Sequence, residues 1–126
     1  YEIQVLDSYG INIPGTGDCG ALYEQFAPLV NACKPPMTWQ AYDIIFRAPR
    51  LDDSGGVTEH PRATIVLNGT IIHNNVQLLG PTGSASKMAV VSSGPLRLQD
   101  HKDLVSYRNI WAAPLPLEGS DTYEPR

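Results

Sequence analysis

The stretch ATIVLNGTIIHNNVQL, residues 63–78, decides the fold more clearly than any other part of the chain. Two runs that contain several β-branched residues flank Asn68-Gly69. An Asn-Gly pair between such runs is typical of the primed turn of a β-hairpin, because both turn positions need a positive φ. The sequence therefore predicts strands over 63–67 and 70–78, joined as an antiparallel hairpin.

Four further segments alternate between apolar and polar residues in the way that half-buried strands do: 1–7, 39–47, 95–101 and 105–112. Eleven Gly and eleven Pro among 126 residues favour many short strands over long helices. The segment 21–32 has room for one helical turn, but Pro28 limits it. We expect an all-β chain of about six strands, with loops over 8–20, 51–61 and 80–94.

The apolar positions of these strands predict a core between two sheets. A strand that slipped by one residue would expose its whole apolar set. The residues predicted to be buried are Ile3, Val5, Tyr42, Ile44, Phe46, Ile65, Leu67, Leu96 and Leu98. By contrast, His60 and His73 have no metal-ligand spacing to other residues and are predicted to lie on the surface.

Composition excludes several classes of protein. The length suits one domain, and the net charge of −4 without any cluster of Lys or Arg argues against a nucleic-acid-binding protein. Apolar runs are too short for a transmembrane helix. Because the chain begins at Tyr1 and not at Met, we expect that a segment was removed or that the chain is a piece of a longer protein.

The two cysteines, Cys19 and Cys33, are compatible with two interpretations. No second cysteine pair or nearby histidine accompanies them, which disfavours a zinc site. They are either small free residues of a core or the two ends of a disulfide, which would stabilise the chain by roughly 3 kcal/mol in the loop-entropy model.

Six stretches, in order, resemble the C-terminal part of the 3-keto-disaccharide hydrolase family, a group common in Bacteroidetes and Planctomycetes. The resemblance extends from Tyr1 to about Leu115, and the motifs Glu-x-Gln, Trp-Gln-x-Tyr-Asp-Ile, Leu-Gln-x-His and Arg-Asn-Ile carry it. Met37 and Lys102 depart from the pattern, because Gly is usual at both places. The stretches are YEIQVLD, GALYEQFAPLVNACKPP, WQAYDIIFRAPR, LNGTIIHNNVQLLGPTG, GPLRLQDH and YRNIWAAPL.

The resemblance implies a concanavalin-like jelly roll of two antiparallel sheets, with one concave, sugar-facing sheet. It implies a domain over 1–117, followed by a tail over 118–126 that we expect to be disordered. Family domains usually have further strands before the position of Tyr1, so the sandwich is expected to be incomplete in this chain, with the missing N-terminal strands supplied by another chain. The resemblance also implies a bacterial, extracytoplasmic protein, and with it we predict a disulfide between Cys19 and Cys33.

The implied substrates are glycosides oxidised at C3 of a glucosyl unit. A ketone at C3 acidifies the hydrogen at C2; a base removes it, the enolate expels the group at C1, and water adds back. This chemistry needs a base, an acid and a donor or metal for the oxyanion, but not the close carboxylate pair of ordinary glycosidases. The resemblance assigns no definite cofactor, and a divalent metal is one option for stabilising the oxyanion.

The candidate site combines polar residues that alternate with apolar ones on two predicted strands. Glu2 and His101 are the candidate acid–base residues, although His101 is equally explained as a hydrogen-bonded residue at a strand end. Trp39 could stack on a sugar or belong to the core, and Arg108 could hold a hydroxyl or form an ordinary salt bridge. The candidate substrate-binding residues are Gln4, Tyr23, Trp39, Gln99 and Arg108.

The primary hypothesis is an enzyme that acts on 3-keto-glycosides by elimination and hydration. Two alternatives stay open: a carbohydrate-binding module on the same fold, or a structural fragment of an assembly. The fold cannot separate enzyme from lectin, because jelly rolls carry both functions. The arrangement of Glu2 and His101 around one ligand atom would separate them.

Overall fold

The computed structural model describes residues 1–100 and 102–116, and it is an all-β structure of antiparallel sheets with one 3₁₀ turn over Gly83–Ala85. The strands are β1 (Tyr42–Arg47), β2 (Arg50–Leu51), β3 (Val57–Glu59), β4 (Arg62–Leu67) and β5 (Thr70–Gln77). A three-stranded sheet has the order β1–β4–β5, and β2 pairs with β3 in a two-stranded sheet. The predicted fold class is confirmed, including its incompleteness as a sandwich.

The hairpin of β4 and β5 forms as its sequence predicts. Asn68 and Gly69 have φ angles of 54° and 83°, as the primed turn requires, and Leu67 pairs with Thr70 across it. The Asn68 side chain also accepts a hydrogen bond from the Ala41 N–H (2.9 Å) and donates one to the Ala32 carbonyl (2.8 Å). The turn therefore holds the segment that leads into β1 as well as joining its own two strands.

The core lies between one face of β4–β5 and the irregular segment 1–33, which packs across it. Leu22, Ile65, Leu67 and Ile72 are at most 1% exposed. The Leu29 N–H donates to the Ile72 carbonyl (2.9 Å), which fixes this segment to β5. The remaining members of the core cluster are Cys19, Ala63 and Leu78, with Ile3, Phe26, Ala32, Cys33, Tyr42 and Val76 packed against it.

Several predicted strands do not form within the described residues. Segment 1–7 contributes only an isolated antiparallel bridge between Ile3 and Leu22, and 95–100 and 105–112 form no strand. A strand needs partners for its backbone N–H and C=O groups, and no neighbouring strand pairs with these segments here. Conversely, β3 forms inside the predicted loop 51–61, and β2 reaches into its first residue. The Asp52 carboxylate accepts the Ser54 and Gly56 N–H groups (2.9 and 2.8 Å) and closes the turn between these two strands.

The predicted core is therefore only partly right. Ile65 and Leu67 are completely buried, and Ile3 and Tyr42 are partly buried. The prediction is wrong for five residues, because no other part of the described chain packs closely enough over their side chains to bury them. These residues are Val5, Ile44, Phe46, Leu96 and Leu98, which are 39–73% exposed.

The predicted disulfide is absent, since Cys19 and Cys33 are both free. The Cys19 Sγ instead lies 3.2 Å from the Tyr42 hydroxyl. Burial, followed by the neighbouring Cys19 thiol, raises the pKa of Cys33 to about 12, so this thiol stays protonated at neutral pH. Hydrogen bonds hold the loop in place of a covalent bond: the Asn31 side-chain amide donates to the Ser8 and Ile11 carbonyls (2.6 and 2.9 Å).

The prediction that His73 lies on the surface is wrong. Its side chain is only 2% exposed, and its Nε2 lies 2.9 Å from the Gly20 carbonyl oxygen. Burial lowers the pKa of His73 below its usual value, so the ring is neutral and its Nε2–H donates to this carbonyl. His73 thus joins β5 to the covering segment.

The predicted tail over 118–126 lies outside the described residues, and so does His101. The domain boundary at residue 117 stays a prediction. Among residues 1–100 and 102–116, no helix has the length and apolar character needed to span a membrane.

Candidate active site

A polar cavity of about 420 Å³ lies where the N-terminal residues meet the loop around Tyr23 and the turn after β5. Its lining combines carboxylates, amides, a phenol and a hydroxyl, which are groups that can bind sugar hydroxyls and transfer protons. The residues that line it are Glu2, Gln4, Tyr23, Glu24, Gly83, Ser84 and Gln99.

Backbone pairing brings the first two segments of the cavity together. The Tyr23 N–H donates to the Glu2 carbonyl (3.1 Å), and the Gln4 N–H donates to the Ala21 carbonyl (2.9 Å). Ile3 between them packs against the core, so Glu2 and Gln4 are directed away from it, as alternation predicts. Gln4 is nevertheless buried, and its side-chain amide donates to the Gly17 carbonyl (3.2 Å).

The side chain of Gln25 holds the third segment in place. Its Oε1 accepts the Leu79 N–H (2.9 Å), and its Nε2 donates to the Gly80 carbonyl (2.8 Å) and, more weakly, to the Pro81 carbonyl (3.3 Å). These bonds connect residues more than fifty positions apart. They position the following residues, 82–84, against Glu2 and Tyr23.

Gly83 lies directly against Tyr23 and Glu2 in the cavity wall. Its φ is +53°, and a Cβ at this position would lie 2.8 Å from the Tyr23 ring and 3.4 Å from the Glu2 carboxylate. Next to it, the buried Thr82 hydroxyl accepts the Glu2 N–H (2.6 Å). A glycine is therefore required here for both conformational and steric reasons, and the turn fixes the backbone of Glu2 while leaving its carboxylate beside the cavity.

The structure thus brings four predicted site residues together and separates two others from them. Glu2, Gln4, Tyr23 and Gln99 line the cavity. Trp39 and Arg108 do not; instead they contact each other, with the Arg108 guanidinium carbon 3.8 Å from the centre of the Trp39 ring. This cation–π contact accounts for both residues without a ligand. His101 lies outside the described part of the chain, so its role stays a prediction.

Sequence reasoning missed two polar residues of the cavity, Glu24 and Ser84. Glu24 brings a second acidic residue to the cavity that Glu2 lines. Glu24 has a φ of +60°, which is uncommon for a residue other than glycine, and its N–H donates to the Thr16 carbonyl (3.0 Å). Its place next to Tyr23 in the sequence was the available signal. Ser84 was missed because the loop 80–94 gives no periodic pattern from which to place a side chain.

Two carboxylates line the cavity, and the described residues contain no larger cluster of metal ligands. Within residues 1–100 and 102–116, no three His, Cys, Asp or Glu side chains lie together as metal ligands would. The cavity itself offers Glu2 and Glu24, and its other polar side chains are amides, a phenol and a hydroxyl. The arrangement suits proton transfer and hydrogen bonding to an uncharged polar ligand.

Comparison with known proteins gives a consistent result. The sequence model of the 3-keto-alpha-glucoside-1,2-lyase-like domain matches residues 1–113. Among solved structures, a candidate glycosyl hydrolase from Parabacteroides distasonis is 37% identical, with a TM-score of 0.65 over 75% of this chain. The chain spans 40% of the length of that protein. No curated protein matches the chain.

Proposed function

The chain belongs to the family of 3-keto-alpha-glucoside-1,2-lyase-like domains, and we propose that its polar cavity acts on 3-keto-glycosides. The observation that supports this most directly is the Glu2 carboxylate at the wall of a cavity that Tyr23, Gln4 and Gln99 share. The ligand would be a carbohydrate, since amides and a phenol in one cavity match the hydroxyl groups of a sugar.

In the proposed reaction a base removes the hydrogen at C2 of the 3-keto-glucosyl unit. The electron pair of that C–H bond forms an enolate with the C3 ketone. The enolate collapses, the C1–O bond breaks, and the leaving oxygen takes up a proton from a general acid. Water then adds across the C1–C2 double bond, with its oxygen at C1 and a proton at C2, so the net change is hydrolysis.

Glu2 is the proposed base. Its backbone is fixed by Thr82 and Tyr23, and within the described residues its carboxylate makes no ion pair. Its carboxylate lies beside the cavity, where it can accept a proton from a bound substrate. Tyr23 and Gln99 are the proposed donors to the enolate oxygen, and His101 is the proposed acid for the leaving group.

The test uses a 3-keto-glucosyl disaccharide with three variants: Glu2→Gln, His101→Ala and Asp43→Asn as the matched control. Asp43 is an exposed carboxylate on β1, outside the cavity. Loss of the base is expected to reduce turnover about 10²–10⁴-fold in Glu2→Gln, and loss of the acid to reduce it similarly in His101→Ala. Asp43→Asn is expected to retain the rate.

A second readout isolates the first step. In D₂O the base exchanges the hydrogen at C2 before elimination, so deuterium at C2 of recovered substrate is expected for wild type and for His101→Ala, but not for Glu2→Gln. Equal exchange in Glu2→Gln and wild type would contradict the role of Glu2.

A carbohydrate-binding module is the second candidate, and the fixed amide of Gln4 in the cavity favours it, because a buried, pre-oriented amide serves recognition. A binding module would show saturable sugar binding, weakened in Glu2→Gln, without turnover by any form of the protein.

We further propose that strands of another chain complete the sandwich, since the described chain leaves Ile44 and Ile45 of β1 about half exposed. Turnover that appears only with the complementing chain would support this arrangement.

A further inference from the structure

A second cavity, of about 370 Å³, lies where the three-stranded sheet meets the β2–β3 hairpin. It shares no lining residue with the candidate active site. Its character is cationic, whereas the first cavity contains two carboxylates. The residues that line it are Arg47, Thr58, Glu59, His60, Arg62 and Gln77.

Two arginines face each other across the sheet at this cavity. Arg47 on β1 and Arg62 on β4 are directly opposite in the antiparallel register. Like charges in such a pair are destabilising unless something compensates them. Arg47 has a compensating carboxylate, because it forms an ion pair with Glu59.

Arg62 has neutral partners instead. Its guanidinium donates to the Asn75 carbonyl (3.0 Å) and to the Gln77 side-chain oxygen (3.1 Å). These two bonds hold the side chain in place without neutralising its charge. A guanidinium has five N–H donors, so Arg62 retains donors for a further acceptor.

The charges around the cavity do not balance. Glu59 binds Arg50 (3.2 Å) as well as Arg47, so one carboxylate serves two guanidinium groups. The lining itself holds two arginines, Arg47 and Arg62, and one glutamate, which is an excess of one positive charge, and Arg50 outside the lining shares that glutamate. Within the described part of the chain, no second carboxylate lines this cavity.

We infer that this cavity binds an oxyanion, a carboxylate or sulfate group, between Arg47 and Arg62. A planar guanidinium pairs with such groups through two parallel hydrogen bonds, and an anion between two opposed arginines removes their mutual repulsion. Thr58 and Gln77 supply a hydroxyl and an amide at the same wall. The site does not depend on the reaction proposed for the first cavity.

Calorimetric titration of the full chain at low ionic strength tests this inference with three probes: sodium sulfate, sodium glucuronate and glucose. Saturable binding of sulfate or glucuronate, and none of glucose, is expected. Tighter binding of glucuronate would identify a sugar-borne carboxylate as the ligand, and tighter binding of sulfate would identify an inorganic or ester sulfate. Absence of saturable binding of both anions would overturn the inference.

The variants Arg62→Gln, Arg62→Lys and Arg97→Gln locate the site. Arg97 is an exposed arginine that does not line the cavity, so Arg97→Gln removes the same charge elsewhere. Arg62→Gln is expected to weaken anion binding about tenfold or more, Arg62→Lys less, and Arg97→Gln hardly at all. Equal losses in Arg62→Gln and Arg97→Gln would show a general charge effect and overturn the site. Thermal unfolding of each variant verifies that the fold persists.

Discussion

Strands β1 and β4 have equal length and pair along their whole extent, yet their side chains differ in solvent exposure at almost every position. β4 alternates between buried and partly buried residues, while five of the six residues of β1 are exposed. The contrast is sharpest at one pair: Ile44 and Ile65 are directly opposite, and their exposed fractions are 47% and 0%. Alternation therefore predicts which side chains share a face, but not whether anything covers that face.

The difference arises from the position of segment 1–33. Its buried residues Cys19 and Leu22 pack over β4 and β5, and Gly20 contacts His73 and Ile72 on β5. Segment 1–33 covers much less of β1. Tyr1 lies against Phe46 with ring centres 5.3 Å apart, and the Tyr42 hydroxyl donates to the Gln4 carbonyl (3.0 Å). β1 is thus an edge strand with apolar residues available for a further layer.

The largest expected effect comes from truncating the opposed pair. Ile65→Ala is expected to lower the free energy of unfolding by about 2–5 kcal/mol, because it leaves a cavity in a closed core. Ile44→Ala, at the same height of the sheet, is expected to cost about 1 kcal/mol or less, since its side chain is half in water already. Chemical denaturation of both variants measures the difference. Similar costs would show that β1 is covered in solution, for instance by a second copy of the chain.

A smaller difference in stability is expected between the alanine variants of two glycines with the same backbone conformation. Gly20 and Gly69 both have a φ of +83°, but a Cβ on Gly20 would lie 2.4 Å from the buried Ile72 side chain, while a Cβ on Gly69 meets nothing within 4 Å. Gly69→Ala is expected to cost the backbone strain alone, about 1–2 kcal/mol. Gly20→Ala is expected to cost a further ~1–3 kcal/mol from overpacking.

The two glycine variants, measured by denaturant unfolding under identical conditions, isolate the contact between segment 1–33 and β5. An equal loss of stability in both would mean that the segment moves away from β5 at little cost, and the contrast between a covered β5 and an uncovered β1 would then disappear.

Local chemistry made part of this fold predictable. Asn68-Gly69 predicts the hairpin because its conformational requirement is met within two residues. The segments 95–100 and 105–112 have the same alternation as β4, but a strand there depends on pairing with other backbone, which alternation does not encode. The His73 error has a similar origin: its burial depends on the approach of Gly20, 53 residues earlier in the chain.

Some residues of the candidate site were predictable from the sequence and others were not. Alternation about the core residue Ile3 directs Glu2 and Gln4 away from the core, and alternation over 95–101 predicts the same for Gln99. The family resemblance brings these two segments to one sugar, and Tyr23 is a candidate because its loop can reach the site. Glu24 and Ser84 enter the cavity through irregular backbone, a positive φ in one case and a 3₁₀ turn in the other, and neither has a periodic signal. Residue type leaves Trp39 with a sugar or the core as its partner and Arg108 with a hydroxyl or a carboxylate, and the observed contact between the two is neither of these.

The smallest expected effect is a pH dependence of the covered side of the sheet. Burial lowers the pKa of His73 in the folded state, so below pH ~6.5 the unfolded chain binds a proton that the folded chain does not. The stability associated with the neutral ring is complete above that pH and declines as pH falls, by at most ~1.4 kcal/mol per pH unit, until the folded-state pKa is reached.

His73→Gln keeps an N–H donor near the Gly20 carbonyl and removes the titrating group, so its unfolding free energy is expected to fall less steeply than that of wild type between pH 6.5 and 5. His60→Gln is the matched control, because His60 is exposed. Urea unfolding at several pH values gives the slopes. Carboxylates contribute the same acid dependence to all three proteins, so the difference in slope belongs to His73. Identical slopes in wild type and His73→Gln would show that the ring takes up its proton in the folded state, which requires water to reach it between β5 and Gly20. The covered face of the sheet would then be as open to solvent as β1.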